Sequence, residues 1–325
     1  MRFLPSTEQR EFARALDGLL TASDTPAAAR AWAAGDHKPG RALWGRLAEA
    51  GVFGLAVSAR HGGMGLLPAE LAIVFTELGR HVVPGPLVET VAAAAFLERL
   101  DTGAAAELLP RIAAGEALVS LCADGPYALD ADAADTVLVI EGDTVRRAEG
   151  HGPPQVSLDP ARRLFRPRGG TVLARGPAVT AAAAHALDIA RLATAAQSLG
   201  LGRALLAQTV SHVTRRTQFG VPIGSFQAVK HRLADILIAL EFAQPLVHGA
   251  APALAAGAPS AGREVAAAKV AAGEAGHAAA RTALQLHGAL GYTEEPALSL
   301  WTRKARPLRD AWGTPAECRR RVLAG

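Results

Sequence analysis
The residues best suited to chemistry lie together between Arg215 and Asp235, in the run RRTQFGVPIGSFQAVKHRLAD. Two adjacent arginines precede a Gln-Phe-Gly turn and a Pro, and a new apolar periodicity begins at Phe226. A helix is predicted to end near Gln218, the chain to turn at Gly220 and Pro222, and a second helix to begin after Ser225, a good N-cap type. Arginine forks beside a glycine turn and a helix start suit a phosphate or pyrophosphate. Guanidinium donors, free backbone N–H groups and the helix dipole all favour an anion. The same residues also describe a surface helix hairpin with solvated arginines, and local chemistry alone favours that plainer description.

The wider sequence changes the balance. Arg216-Thr217-Gln218-Phe219-Gly220, Pro222-Ile223, Phe226-Gln227, His231 and Leu233-Ala234-Asp235 resemble the flavin-binding signature of the acyl-CoA dehydrogenase family. A second block, Gln285-Leu286-His287-Gly288-Ala289-Leu290-Gly291-Tyr292-Thr293-Glu294-Glu295, stands at the family's distance downstream. A third runs from Trp44 to Gly65 and is followed by Glu77-Leu78-Gly79-Arg80. Three blocks in order are far more specific than any one of them.

The resemblance implies an FAD cofactor, an acyl-CoA substrate and a set of roles. Arg216 and Gln218 match positions that contact the flavin pyrophosphate. Phe219, Phe226 and Gln227 match the wall around adenine and ribitol, although both phenylalanines would serve equally well in a core. Gln285, Gly288 and Ala289 match a second nucleotide-binding turn. The family prefers two adjacent glycines there, and a methyl group is tolerable at an ordinary φ but costly at a positive one. Thr314, after Gly313, matches a further flavin contact, while Ala316 replaces the polar side chain usual two positions on.

Two departures matter more. The family's general base is a glutamate directly before Gly-Thr near the C-terminus, and ungapped alignment puts Trp312 there. Members that carry the base on the first long C-terminal helix place it at about Ala190. Neither side chain can take a proton, and a positioned base contributes about 10²–10⁴-fold or more. Asp310, Glu295 and Glu317 are carboxylates nearby in sequence, each expected to be a solvated helix-end charge. The second departure lies in the middle of the chain. The first strand ends at Cys122-Ala123-Asp124-Gly125-Pro126, without the Thr-Glu-Pro and Gly-Ser-Asp run of the family, and the Trp-x-x-x-Gly turn is missing. Backbone donors for the isoalloxazine ring and part of the acyl pocket are therefore expected to be absent.

Elements must position these residues. Half of the 325 residues are apolar but only 5% are aromatic, so the core must be Ala, Leu and Val, which favours closely packed helices. Helical patterns cover 5–21, 43–50, 68–80, 86–100 and 103–114, with a loop rich in Ala, Asp and Gly up to Gly40. From about Ala117 short β-type runs appear at 118–122, 136–140, 143–145, 163–165 and 171–173. Long helices return at 179–217, 225–256 and 260–288, with a short pair at 296–305 and 315–323. The fold expected is mainly α with a small β domain. It has an N-terminal helical domain (1–115), a shortened β domain (116–178) and a C-terminal four-helix bundle carrying the flavin motifs (179–325).

The net charge of +4, from 34 Lys+Arg against 30 Asp+Glu, does not call for nucleic acid and suits an anionic nucleotide. Two cysteines without metal spacing argue against a disulfide framework and for a cytoplasmic setting. No apolar signal core opens the chain and no membrane span is expected. Intact nucleotide-end motifs beside a lost base match a specialised subunit of bacterial α2β2 heterotetrameric acyl-CoA dehydrogenases. That resemblance implies a second acyl-CoA dehydrogenase-like subunit, a bulky steroid-derived acyl-CoA and an electron-transferring flavoprotein as acceptor. The alternatives are a self-sufficient homodimer or homotetramer with an unusual base, and a flavin-free assembly subunit.

Overall fold
The computed structural model describes residues 4–100, 102–123, 125–293 and 297–324. Ser6 opens the first helix, α1 (Thr7–Thr21), in a reciprocal box with Gln9. The stretch to Gly40 is not all loop. Asp24 accepts the Ala27 N–H and starts α2 (Thr25–Ala33), whose Trp32 is buried. Its Ala-rich composition hid the helix because a single aromatic supplies the packing face. There follow α3 (Lys38–Glu49), α4 (Pro68–Arg80), α5 (Leu87–Leu97) and α6 (Gly103–Ala113). Every residue of α5 is buried, Glu89 and Thr90 included.

Seven strands form the middle. In chain order they are β1 (Val119–Cys122), β2 (Ala128–Leu129), β3 (Thr136–Glu141), β4 (Thr144–Arg147), β5 (Gly150–Gln155), β6 (Leu164–Arg168) and β7 (Thr171–Arg175). One mixed sheet has the order β1-β3-β4-β7, with β1 parallel to β3 and the other pairs antiparallel. A second, antiparallel sheet has the order β2-β6-β5. Sequence reading missed β5, because Gly-His-Gly-Pro-Pro-Gln is poor strand material. It survives as an edge strand, where prolines need no partner on their open side.

The C-terminal part is α7 (Pro177–Arg215), a hairpin of β8 (Thr217–Gln218) and β9 (Val221–Pro222), α8 (Gln227–Ala255), α9 (Ala261–His287), α10 (Leu298–Asp310) and α11 (Pro315–Leu323). Ser225 does not cap α8: its Oγ donates to the Pro222 carbonyl at 2.7 Å, and Phe226 takes the N-cap position. Small residues set the helix spacing. A Cβ on Gly200 would lie 1.8 Å from the Thr76 carbonyl, and one on Gly79 would lie 2.0 Å from that of Gln197. Thus α4 and α7 cross backbone to backbone, which only glycine permits. The Trp301 indole donates to the Arg80 carbonyl at 2.8 Å, and the buried Lys269 ammonium donates to the Leu308 and Arg309 carbonyls. Both close orphan groups at helix C-termini.

By length and composition α8 could span a bilayer. It packs instead against α4, α7 and α9, while Leu237, Ile238, Phe242 and Leu246 stay exposed along it.

Candidate functional site
The nucleotide-motif residues gather at one end of the bundle. Arg216 is the C-cap of α7, exposed, and its guanidinium has no hydrogen-bond or ion-pair partner among the described residues. The turn that follows has both central residues at positive φ, Phe219 at 55° and Gly220 at 79°. Such a two-residue hairpin turn favours Asn or Gly in its first place. Phenylalanine there is strained, and the residue is 92% exposed, with its ring edge-on to that of Phe226 at a centroid distance of 6.3 Å. An aromatic held both strained and bare is the pattern of a contact residue whose partner is elsewhere.

Gln218 and Gln227 are exposed, and the Gln218 amide reaches only the neighbouring Thr217 carbonyl. On α9, the Gln285 side chain accepts from Arg232 of α8, joining the two helices next to the turn. Gly288 takes φ 61°, whereas Ala289 is not among the positive-φ residues, so its methyl group fits at ordinary cost. Two histidines complete this end: His212 and His287 stack with ring centroids 4.1 Å apart. Of the matched second block, Glu294 and Glu295 lie outside the described residues, as does Asp124 of the β domain.

The base position is built in the opposite sense. Trp312 links α10 to α11 at φ 59° and is only 6% exposed. Its carbonyl accepts from Arg191 Nε at 2.9 Å, and Arg191 pairs with Asp188 at 3.0 Å. Arg321 takes the other Asp188 oxygen at 2.7 Å, so one carboxylate ties both arginines together. The cavity beside the indole, lined by Glu89, Leu129, Arg162, Lys304, Leu308 and Trp312, holds only about 20 Å³. A neighbouring space that adds Tyr127 and Asp310 holds about 150 Å³. Ligand pockets usually run to ~300 Å³ or more.

Sequence reading missed the carboxylates of this region. Glu89, 3% exposed on α5, lines the same small cavity as the Trp312 indole. Burial pushes its carboxyl up, against the opposing pull of Arg162 and Lys304. Burial also pushes Asp130 up to about 8. Lys304 pairs with Asp159 at 3.1 Å, both almost fully buried. Nothing in the apolar context of Glu89 (Leu-Val-Glu-Thr-Val) marked it as more than a helix residue.

The carboxylates named from sequence have ordinary duties. Glu317 and Thr314 form a capping box on α11, with the Thr314 N–H and Oγ donating at 2.8 and 2.7 Å. Those bonds hold the Glu317 carboxyl low. Asp310 pairs with Arg306 at 2.8 Å, and Glu295 lies outside the described residues. Ala190 is fully buried inside α7. Thr314 does not join the Arg216 cluster. It lies beside the Arg191 end of α7, and about 36 Å of helix rise separates Arg191 from Arg215.

The two places differ in their fit to FAD. The Arg216 turn offers unpartnered cationic and aromatic groups that fit the adenine and pyrophosphate end. The Trp312 cavity is too small for an isoalloxazine ring with an acyl thioester, so the residues there do not fit that half.

Residues 6–116 match the acyl-CoA dehydrogenase N-terminal domain, and residues 180–324 match the acyl-CoA dehydrogenase C-terminal domain. The chain is 34% identical over 323 residues to acyl-CoA dehydrogenase IpdE2 of Mycobacterium tuberculosis, covering 98% of this chain and 97% of that protein. It is 31% identical to IpdE2 of Mycolicibacterium smegmatis, covering 98% and 99%. A variant of the Tcur3481–Tcur3483 steroid ACAD superimposes with a TM-score of 0.84 at 25% identity, over 98% of this chain and 97% of that one. The ChsE4–ChsE5 complex of M. tuberculosis shares the fold, with a TM-score of 0.84 at 24% identity over 100% and 98%. With full-length relatives above 30% identity and both terminal domains matched, this chain belongs to the acyl-CoA dehydrogenase family, FAD-dependent oxidoreductases that act on the CH–CH bond of acyl-CoA.

Proposed function
We propose that this chain is the base-less subunit of a heteromeric acyl-CoA dehydrogenase. It grips the adenine and pyrophosphate side of FAD while a partner subunit supplies the base, the ring pocket and most of the acyl pocket. The observation that carries this reading is Trp312: an indole 6% exposed, clamped by Arg191, stands where a carboxylate would remove the α-proton. Bound FAD would supply the two-electron acceptor for the β-hydride, giving the 2-enoyl thioester.

This chain's residues bind and orient. Arg216 brings a fixed charge and fork donors to a pyrophosphate. Phe219 and Phe226 offer faces for a base, and Gln285, held by Arg232, offers a directed amide. The exposed apolar stripe of α8 fits a partner subunit, since a large patch of this kind on one helix marks an association surface. Relatedness to a steroid ACAD supports a bulky, polycyclic acyl-CoA as substrate.

The test is to purify the chain alone and with the acyl-CoA dehydrogenase homologue encoded beside it, then count flavin and measure native mass. The single chain should be colourless and inactive, and the complex yellow and active. Arg216→Ala should weaken flavin retention about 10–100-fold, the loss of a charge-assisted contact. A yellow, active homomer would end the proposal.

Glu89 gives a second reading a specific footing, because it is a buried carboxylate touching the base position. A self-sufficient enzyme would then use Glu89 as base after the Trp312 cavity widened. Glu89→Gln abolishing turnover in a homomeric preparation would select that reading. Unchanged turnover in the heteromer would dismiss it.

A further inference from the structure
We propose that the stacked imidazoles of His212 and His287 form a proton-coupled anion contact, taking up one proton when a pyrophosphate diester settles beside Arg215 and Arg216. This rests on the reading that the Arg216 end holds the FAD pyrophosphate, and it adds two residues that the family motif does not assign.

The placement is specific. His212 lies one helical turn before Arg216 on α7, so both project from the same face. The Arg216 N–H donates to the His212 carbonyl at 2.9 Å. His287 closes the last turn of α9, directly before Gly288 of the second nucleotide turn. The two rings lie 24° from parallel at 4.1 Å, and both are half-buried. His287 Nδ1 lies 2.8 Å from the Ala283 carbonyl, which can only accept, so Nδ1 carries the hydrogen. Its Nε2 is therefore the acceptor nitrogen of the ring.

Charge explains why that proton waits for a ligand. Burial pushes His212 down first, then His287, Arg216 and Arg215 each push the same way. From α7 the facing groups are Arg215 and Arg216, and from α9 His287, while Arg232 of α8 is bound to Gln285 and is not among the groups acting on His212. Among the described residues no carboxylate acts on His212. Two stacked imidazolium rings would repel, so at most one can be charged at modest cost. A doubly negative diester reverses the local field. One imidazolium then becomes favourable and gives the phosphate oxygens a further N–H donor.

The sign follows from linkage. The His212 value is depressed in the ligand-free chain and rises on binding. Affinity for the anion therefore grows as pH falls through the bound-state value, and levels off below the free-state value. The gain is at most about tenfold per pH unit for one proton.

ADP-ribose is the probe, because its pyrophosphate diester keeps a constant charge over this range. Calorimetry on the flavin-stripped heteromeric complex between about pH 6 and about pH 8 should show affinity rising about tenfold on acidification. Repeating it in buffers of different ionisation enthalpy should count close to one proton taken up per ADP-ribose. His212→Gln and His287→Gln should each flatten the pH dependence. The wild-type proton count needs no variant, so a misfolded substitution cannot hide the answer. No proton uptake with a flat profile overturns the histidine proposal, and if Arg216→Ala still weakens binding the nucleotide-end reading survives. Arg216→Ala binding ADP-ribose and retaining flavin like the wild type sinks that reading and the histidine contact together.

Discussion
Two aromatic residues hold left-handed backbone conformations, one just beyond the C-terminus of α7 and one beside Arg191 in its first half, and their surroundings could hardly differ more. Phe219 is 92% exposed at φ 55°, close in sequence to Arg216, whose guanidinium has no hydrogen-bond or ion-pair partner among the described residues. Trp312 is 6% exposed at φ 59°, with its carbonyl bonded to Arg191 and its side chain packed in a small cavity beside Glu89. Both are strained, yet only the second is repaid by contacts within the fold. A strained group left bare is waiting for a ligand or another chain, whereas a strained group that is packed and satisfied has become structure. On the proposed function, the same polypeptide keeps the nucleotide half of a cofactor site open and has filled the half where the base would stand.

The largest effect should come from trying to reopen the filled half. Trp312→Glu replaces a buried indole by a carboxylate, and the lost packing alone is worth about 3–5 kcal/mol. The variant should unfold at much lower denaturant and gain no dehydrogenase activity as a single chain. A stable, active Trp312→Glu chain would erase the contrast between the two ends.

A smaller effect tests how the filled half is held. Asp130 is raised to about 8, so the folded chain keeps it protonated while the unfolded chain does not. Its contribution is fully present below the ordinary carboxylate range and is lost as pH rises from about 4 to about 8, on the order of a few kcal/mol. Asp130→Asn keeps the acceptor for the Arg163 N–H and suits the residue's φ of 53°. Thermal melts of the variant should lose much of the stability decline between these pH values. An unchanged decline would mean that other groups set it.

The smallest effect belongs to the open half. Phe219→Asn turns the hairpin into an Asn-Gly turn and should stabilise the chain by about 0.5–1 kcal/mol. The same change should weaken flavin retention by the complex. Gains in both stability and flavin binding would mean that Phe219 is not a contact residue.

The turn after α7 was legible in the sequence because its residues sit in one continuous run, with Gly220 and Pro222 marking it. The long helices were legible for the same local reasons, and α7, α8 and α9 end within two or three residues of expectation. Ser225 misled because a good cap residue can satisfy its hydroxyl on a preceding carbonyl instead. The filled half was only half legible. Trp312 could be read by position, but its closure by Glu89, Arg162 and Lys304 depends on residues from three separate segments. Burial there follows from tertiary packing, which no local pattern carries. The stacked histidines are hidden likewise, since one comes from α7 and the other from α9.

The unbroken course of α7 has a mechanical meaning. It acts as a ruler, fixing by residue count both the span and the angular phase between the Arg191 clamp and the Arg216 fork. Inserting one residue between them would advance the fork by about 1.5 Å and swing it by roughly 100° around the helix axis. Whatever docks at that tip would then meet the back of the helix.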